Sequence, residues 1–396
     1  MRDDIWYEYD NDLSNMDGVN YFDASIPDYL AGDIYQSGYF VTANTLGLLS
    51  LSGPEDPNFD SYVMDEFAGG NYDAEEQIAA FYAMIVDKLG DDVTLIAGAR
   101  FESTSINYTG QVFDEEEDEL PSDIGSVSGG NDYYNILPNL TLQWDVNDEL
   151  NFNFAFTQSI ARPSYYDLVP YEYSNSDDQE LALGNPDLKA SLSTNFDIMG
   201  EWYFGGLSLL SFGYFSKDIK DWIYQYTTNN YTYAGVNGYE LSQLRNGEKA
   251  SVSGFELGFQ TKFLKNFTFM GNYTSTDSST NNVEGRDDVP LTGQVDDMYN
   301  LSLAFENSKF FVRASMNYAS EALDELSGDA YEDRYYDEQT FVDVNANYKV
   351  NDKLSIFAEG KNLTNQPLRY YQGIQQRTMQ IEYYNLSWTL GLKYDF

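Results

Sequence analysis

The amino-acid sequence predicts an all-β fold, an antiparallel up-and-down transmembrane β-barrel, present as a partial barrel of about 13 strands. Three observations predict it. The last eleven residues alternate without a break, with Leu386, Trp388, Leu390, Leu392, Tyr394 and Phe396 on one face and Ser387, Thr389, Gly391, Lys393 and Asp395 on the other. That makes one strand of roughly the 9–11 residues that cross hydrocarbon at a tilt, with one face for lipid and one for a lumen. Strand formers dominate the composition, with 35 Tyr, 25 Phe and 5 Trp against 10 Pro. Connections between the strands alternate strictly between short and long.

From about residue 77 the elements come as hairpins: 77–89 with 93–106, 132–146 with 149–162, 189–204 with 207–224, 249–264 with 267–277, 295–306 with 309–320, and 338–350 with 353–364. A single strand then ends the chain. Period-2 runs justify them, such as Val93, Leu95, Ala97, Ala99 and Phe101, or Leu150, Phe152, Phe154 and Phe156, or Val342, Val344, Ala346 and Tyr348. The short connections Gly90-Asp91-Asp92, Asn147-Asp148, Gly205-Gly206, Lys265-Asn266, Asn307-Ser308 and Asn351-Asp352 carry the turn chemistry of tight hairpins. Long ones cover roughly 107–131, 163–188, 225–248, 278–294, 321–337 and 365–379. An outer-membrane barrel sorts its loops in this way, with short turns in the periplasm and long loops outside. Residues 1–76 are then an extracellular, irregular segment and residues 77–396 the barrel part.

Composition also excludes functions. A net charge of −44 leaves no basic patch for nucleic acid. The chain has no Cys and no His, which removes thiolate chemistry, the commonest general base and the commonest metal ligand, so no enzyme is expected. No run of about 18 apolar residues forms a transmembrane helix. Met1 is followed by Arg2, Asp3 and Asp4 rather than an apolar stretch, so a leader is expected to have been lost upstream.

Several segments, in order, carry a resemblance. They are Asn135-Ile-Leu-Pro-Asn-Leu-Thr-Leu-Gln-Trp144, Ala161-Arg162-Pro163-Ser164-Tyr165, Leu183-Gly184-Asn185-Pro186-Asp187-Leu188-Lys189, Phe341-Val-Asp-Val-Asn-Ala-Asn-Tyr348 and Glu359-Gly-Lys-Asn-Leu-Thr-Asn365, ahead of the closing Phe396. Together they resemble the C-terminal barrel portion of TonB-dependent outer-membrane receptors, over about residues 75–396. Such receptors typically close with about 22 strands around an N-terminal plug domain. The resemblance therefore implies an N-terminally truncated barrel whose plug, and the box that binds the TonB complex, are missing. It also implies that Tyr394 and Phe396 form the signal read by the outer-membrane assembly machinery.

Two groups of loop residues are candidate sites. Arg162 with Tyr165, Tyr166, Tyr171 and Tyr173 could stack on a sugar or another planar ligand at the barrel mouth, or form an aromatic girdle at the outer interface. Asp114, Glu115 and Glu116, with Asp177 and Asp178 in the next loop, could supply the hard oxygen ligands of a loop-bound Ca²⁺, or form a solvated, self-repelling tip. No other cofactor is expected. Arg100, Arg313 and Lys393 lie opposite the apolar stripes and should point into the lumen.

The resemblance implies TonB-dependent active transport of a scarce nutrient, a glycan, a peptide or a metal complex, across the bacterial outer membrane. The alternatives are a passive porin and an adhesive barrel. The partners implied are the lipid bilayer, the TonB complex, the assembly machinery and the nutrient. Acidic loops argue against an anionic ligand.

Overall fold

The structure, a computed structural model, describes residues 71–114 and 124–396 apart from 177, 282 and 284, together with two short strands, β1 (Tyr7–Tyr9) and β2 (Phe59–Tyr62), which pair antiparallel. Along the described chain come β3 (Asp73–Lys88), β4 (Val93–Asp114), β5 (Gly125–Asn147) and β6 (Leu150–Ala161). A single helical turn, α1 (Tyr165–Leu168), precedes β7 (Glu172–Asn175), β8 (Glu180–Leu183), β9 (Ser191–Phe204) and β10 (Ser208–Lys220). Next are β11 (Ile223–Tyr233), β12 (Val236–Asn246), β13 (Lys249–Phe263), β14 (Phe267–Asn281), β15 (Asp297–Glu306) and β16 (Phe310–Ala319). The series ends with β17 (Ala322–Ser327), β18 (Arg334–Tyr336), β19 (Gln339–Lys349), β20 (Leu354–Lys361), β21 (Leu368–Gln372), β22 (Thr378–Glu382) and β23 (Ser387–Tyr394).

The barrel sheet contains the 21 strands β3 to β23, so the expected count of about 13 is corrected. The physical reason is a division of labour. A wall runs β3, β4, β5, β6, β9, β10, β13, β14, β15, β16, β19, β20, β23, each strand antiparallel to the next, in continuous register except for a shift between Asp145 and Asn147 at the turn end of the β5–β6 ladder. The other eight strands lie in connections expected to be long loops. Pairing in those connections is not purely antiparallel, a second correction: short parallel ladders join β4 to β7, β8 to β12 and β11 to β17. With β17 to β18 and β18 to β21, they tie the loop hairpins into a collar at one end of the wall. The expected boundary at 76/77 falls inside β3. In the circular strand order of the closed barrel β23 and β3 are neighbours; among the described residues the register ladder of β3 is the one to β4 and that of β23 the one to β20.

Local chemistry explains the tight ends. Asn147, Asn307 and Asn351 each hold a turn in the same way, the side-chain Oδ1 accepting from the backbone N–H groups two and three residues on, at 2.8–3.0 Å. Gly205 and Gly206 take positive φ of 57° and 86°, which only glycine adopts without strain. At the last ladder, Phe357 lies across from Gly391 so closely that a Cβ there would sit 2.2 Å from the ring.

Register separates the two faces of the wall. A groove of about 650 Å³ on the inner face is lined by Ser211, Gln260, Asn272, Asn300, Ser302, Arg313 and Asp343. The opposite face of the same strands presents Leu257, Phe259, Phe269, Tyr299, Leu301 and Met316. Val342 pairs with Met316 and Val344 with Ala314, whereas Asp343 pairs with Ser315 and Asn345 with Arg313, so the predicted alternation holds. Tyr299 stacks on Tyr318 at 4.7 Å, and Phe255 meets Tyr273 edge-on, a run of aromatics at one end of the outer face. Phe263, Phe267 and Phe305 form another at the turn end.

The buried apolar clusters sit in the collar, because that end faces water while the wall's apolar face meets lipid. Trp222, Tyr224, Ala250, Val283, Val289, Leu323 and Leu326 form one. Ile106, Tyr108, Leu168, Val169 and Leu188 form a second, where the connection between β6 and β9 folds against the inner face of β4. Leu181, Tyr239 and Leu241 form a third.

Candidate functional site

The connection between β6 and β9 starts with an ion-pair cluster. The Arg162 guanidinium donates to Glu102 at 2.7 Å and to Thr104 Oγ1 at 3.1 Å, while its Nε faces Glu76 at 3.7 Å, too far for a hydrogen bond. Glu102 also accepts from Arg100 at 2.5 Å. These groups come from β3, β4 and the residue that follows β6, and strand alternation puts Glu102 and Thr104, both buried, on the inner face. Two arginines face two glutamates, so the cluster is locally neutral.

Beyond Arg162, Pro163 ends the strand and α1 begins. Ser164 caps it, its hydroxyl accepting from the Asp167 N–H at 3.3 Å while Asp167 accepts from the Ser164 N–H at 3.1 Å. The turn aims Tyr165 back at Glu76, to which its phenol donates at 3.2 Å, and that carboxylate pushes the phenol's pKa up. Tyr166 stacks on Tyr171 at 4.7 Å and approaches Tyr72 at 6.1 Å. Burial, with Tyr166 adding to it, raises the Tyr171 pKa. Tyr171 packs on the Leu168 cluster, and Tyr173 sits in β7 opposite Phe113. Of the predicted residues, Arg162 and Tyr165 thus meet at Glu76, while Tyr166 and Tyr171 occupy one another.

A pocket of about 470 Å³ adjoins Arg162 on the inner side. Its floor is Ser159 and Ala161 of β6, Ser191 and Ser193 of β9 and Ile219 of β10, which are lateral neighbours in the ladders. Trp222, Ile223 and the segment 291–294 between β14 and β15 close it from the collar side. Asn195 orders the floor hydroxyls, accepting from Ser193 at 2.6 Å and donating to Thr157 at 3.2 Å and to Ser159 at 3.3 Å. The sequence reading missed this pocket. The available signal was Trp222, which follows Lys220-Asp221 at a strand end, outside the alternating stripes that hold Trp144, Trp202 and Trp388.

The other candidates fall elsewhere. The side chains of Asp114, Glu115, Glu116 and Asp177 lie outside the described residues. Asp178 sits in the turn between β7 and β8, its N–H donating to Asn175 Oδ1 at 2.8 Å. Among the described residues no three or more carboxylates are grouped to hold a metal ion. Tyr394 and Phe396 make an edge-to-face pair at 5.4 Å at the end of β23. Around the collar three arginines are paired with carboxylates: Arg286 with Asp333, Arg334 with Asp324 and Glu325, and Arg369 with Asp337.

Residues 2–363 match a family model described as TonB dependent receptor-like, beta-barrel. No curated protein matches the chain. Many solved structures do. The ferric-catecholate import receptor Fiu from K12 E. coli is 15% identical with a TM-score of 0.61, the match covering 82% of this chain and 45% of Fiu. The copper transporter OprC is 13% identical with a TM-score of 0.61, over 82% of this chain and 48% of OprC. The ferric yersiniabactin uptake receptor FyuA from Yersinia pestis is 15% identical with a TM-score of 0.58, over 82% of this chain and 46% of FyuA. The chain spans about half the length of these solved proteins.

Proposed function

The chain belongs to the TonB-dependent receptor-like β-barrel family, and from that premise we propose that it serves the TonB-dependent import of a scarce nutrient, a glycan, a peptide or a metal complex. Its place is the bacterial outer membrane. One observation carries the transport reading: the wall sorts an apolar face outward and a polar face inward, and the collar at one end builds a pocket opening on that inner face. A ligand received at the collar would enter the lumen, and the energy to release it to the periplasm would come through the TonB complex acting on a plug. Loop-bound Ca²⁺ at Asp114, Glu115, Glu116, Asp177 and Asp178, and a role for Tyr394 and Phe396 in assembly, belong to the same proposal.

A passive porin is the second reading. It is favoured by one feature, the inward fold of the connection between β6 and β9 against β4, as a constriction loop would fold. Uptake of nutrient mixtures by cells expressing the natural gene, with and without an intact TonB system, separates the two. Import that stops when TonB is removed supports the receptor; import that continues unchanged supports the porin.

A further inference from the structure

We propose that the 470 Å³ pocket beneath residues 291–294 is a binding site for a neutral, hydroxyl-rich ring ligand, a saccharide. This rests on the reading of the chain as a receptor and deepens it by naming the ligand class. The volume lies within the roughly 300–1,000 Å³ range of small-molecule sites.

Charge decides the class first. Arg162 is the one charged side chain among the pocket's lining residues, and Glu102 holds it at 2.7 Å with Glu76 a second carboxylate at 3.7 Å. An anionic ligand would have to compete with both carboxylates for that guanidinium inside a chain of net charge −44. A cationic ligand fares no better at this spot, because Arg100 and Arg162 already satisfy Glu102. The neighbourhood is compensated, and a compensated site favours a neutral guest.

Lining decides the rest. One side presents the hydroxyls of Ser159 and Ser193, set in a row by Asn195. Because Ser159 Oγ accepts from Asn195, its own hydrogen is left to donate elsewhere. The facing collar side presents Trp222, Ile223 and Leu291, and Ile219 adds apolar surface to the floor beside Ser193. A pyranose has the same division, a C–H face that packs on apolar and aromatic surface and an edge of hydroxyls that both donate and accept.

The test uses the protein from its natural gene, purified in detergent, on an array of neutral hexose, pentose and N-acetylhexosamine oligomers printed beside sulfated and sialylated glycans. Binding to at least one neutral glycan is expected, with none to the acidic ones. Ser193→Phe, which fills the floor, should abolish it. Gln294→Leu in the closing segment should weaken it about tenfold, one hydrogen bond's worth of affinity. Heat-modifiable mobility on gels confirms that each variant is folded, and the loop variant decides if Ser193→Phe does not assemble. Absence of neutral-glycan binding by the folded protein, stronger binding to acidic glycans, or neutral binding undiminished in the folded variants overturns the proposal. Neutral binding without TonB-dependent uptake would leave the pocket standing and sink the transport reading, whereas TonB-dependent uptake without neutral binding would do the reverse.

Discussion

Arg286 and Asp333 join two collar loops through a two-pronged ion pair, the guanidinium donating to both carboxylate oxygens at 2.9 and 2.6 Å. Asp333 is buried and also accepts from the Ser327 N–H at 3.0 Å, and its hydrogen bonds to Arg286 hold that arginine's pKa above the ordinary value. Asp333→Ala strips Arg286 of its carboxylate, leaving the guanidinium its 3.3 Å bond to the Ser327 carbonyl, and takes the acceptor from the Ser327 N–H. The expected cost is about 2–4 kcal/mol, set below the range of roughly 3–5 kcal/mol for broken buried pairs because Arg286 is partly exposed. Hydrogen exchange should rise across β17 and β18 while the wall stays protected; unchanged exchange there would refute the latch.

The two faces of β19 and β23 predict opposite tolerances. Leu390→Arg puts a charge on the lipid face and should cost about 2–4 kcal/mol near the midplane. Asn345→Asp, on the inner face across the ladder from Arg313, should be tolerated. Urea titrations of folding into vesicles read both, and equal costs would reverse the assignment of faces.

Gly391 and Phe357 predict a rescue. Gly391→Ala drives a Cβ into the ring and should cost roughly 1–3 kcal/mol through overpacking. Adding Phe357→Ala should recover much of that loss, since the clash has one source. If the double variant assembles no better than Gly391→Ala alone, the close approach is not what selects glycine there.

Collar tyrosines predict alkaline lability. Burial raises the pKa of Tyr171, Tyr335 and Tyr371, and Glu321 adds to the shift at Tyr371. A group whose folded pKa lies above its unfolded value near 10 gives stability that is whole below that pH and is lost as pH climbs toward the folded value. The collar should therefore loosen above about pH 10 while the acid side leaves these three groups silent. Tyrosinate absorbance followed with pH would show them titrating late and with loss of collar structure; titration at the ordinary tyrosine pH would contradict this.

The wall was legible because its causes are local. Asn147, Asn307 and Asn351 announce turns, and alternation such as Val342, Asp343, Val344 and Asn345 assigns faces without knowledge of any partner strand. The collar was not legible, because β7, β8, β17 and β18 are short strands stabilised by partners distant in sequence. β11 and β12 carry strand-forming Tyr and Thr, but a hairpin standing in water needs the ladders to β17 and β8 to fix it. The site divides in the same way. Arg162 stands out beside Pro163, whereas its neutralisation by Glu102 and its nearness to Trp222 depend on three-dimensional neighbours.

The parallel ladders of the collar also set a timetable. Wall ladders join strands linked by a turn or one loop, but Tyr226 must find Leu326 and Glu240 must find Glu180. Distant pairings of this kind repay their closure entropy only after something else has brought the ends together. During biogenesis the membrane-embedded cylinder should close its hairpins first, with the mouth still open to surface proteases, and acquire protease resistance in a slower second phase that a pulse-chase experiment can time. The surface that meets the outside world is thus the last part of the molecule to mature.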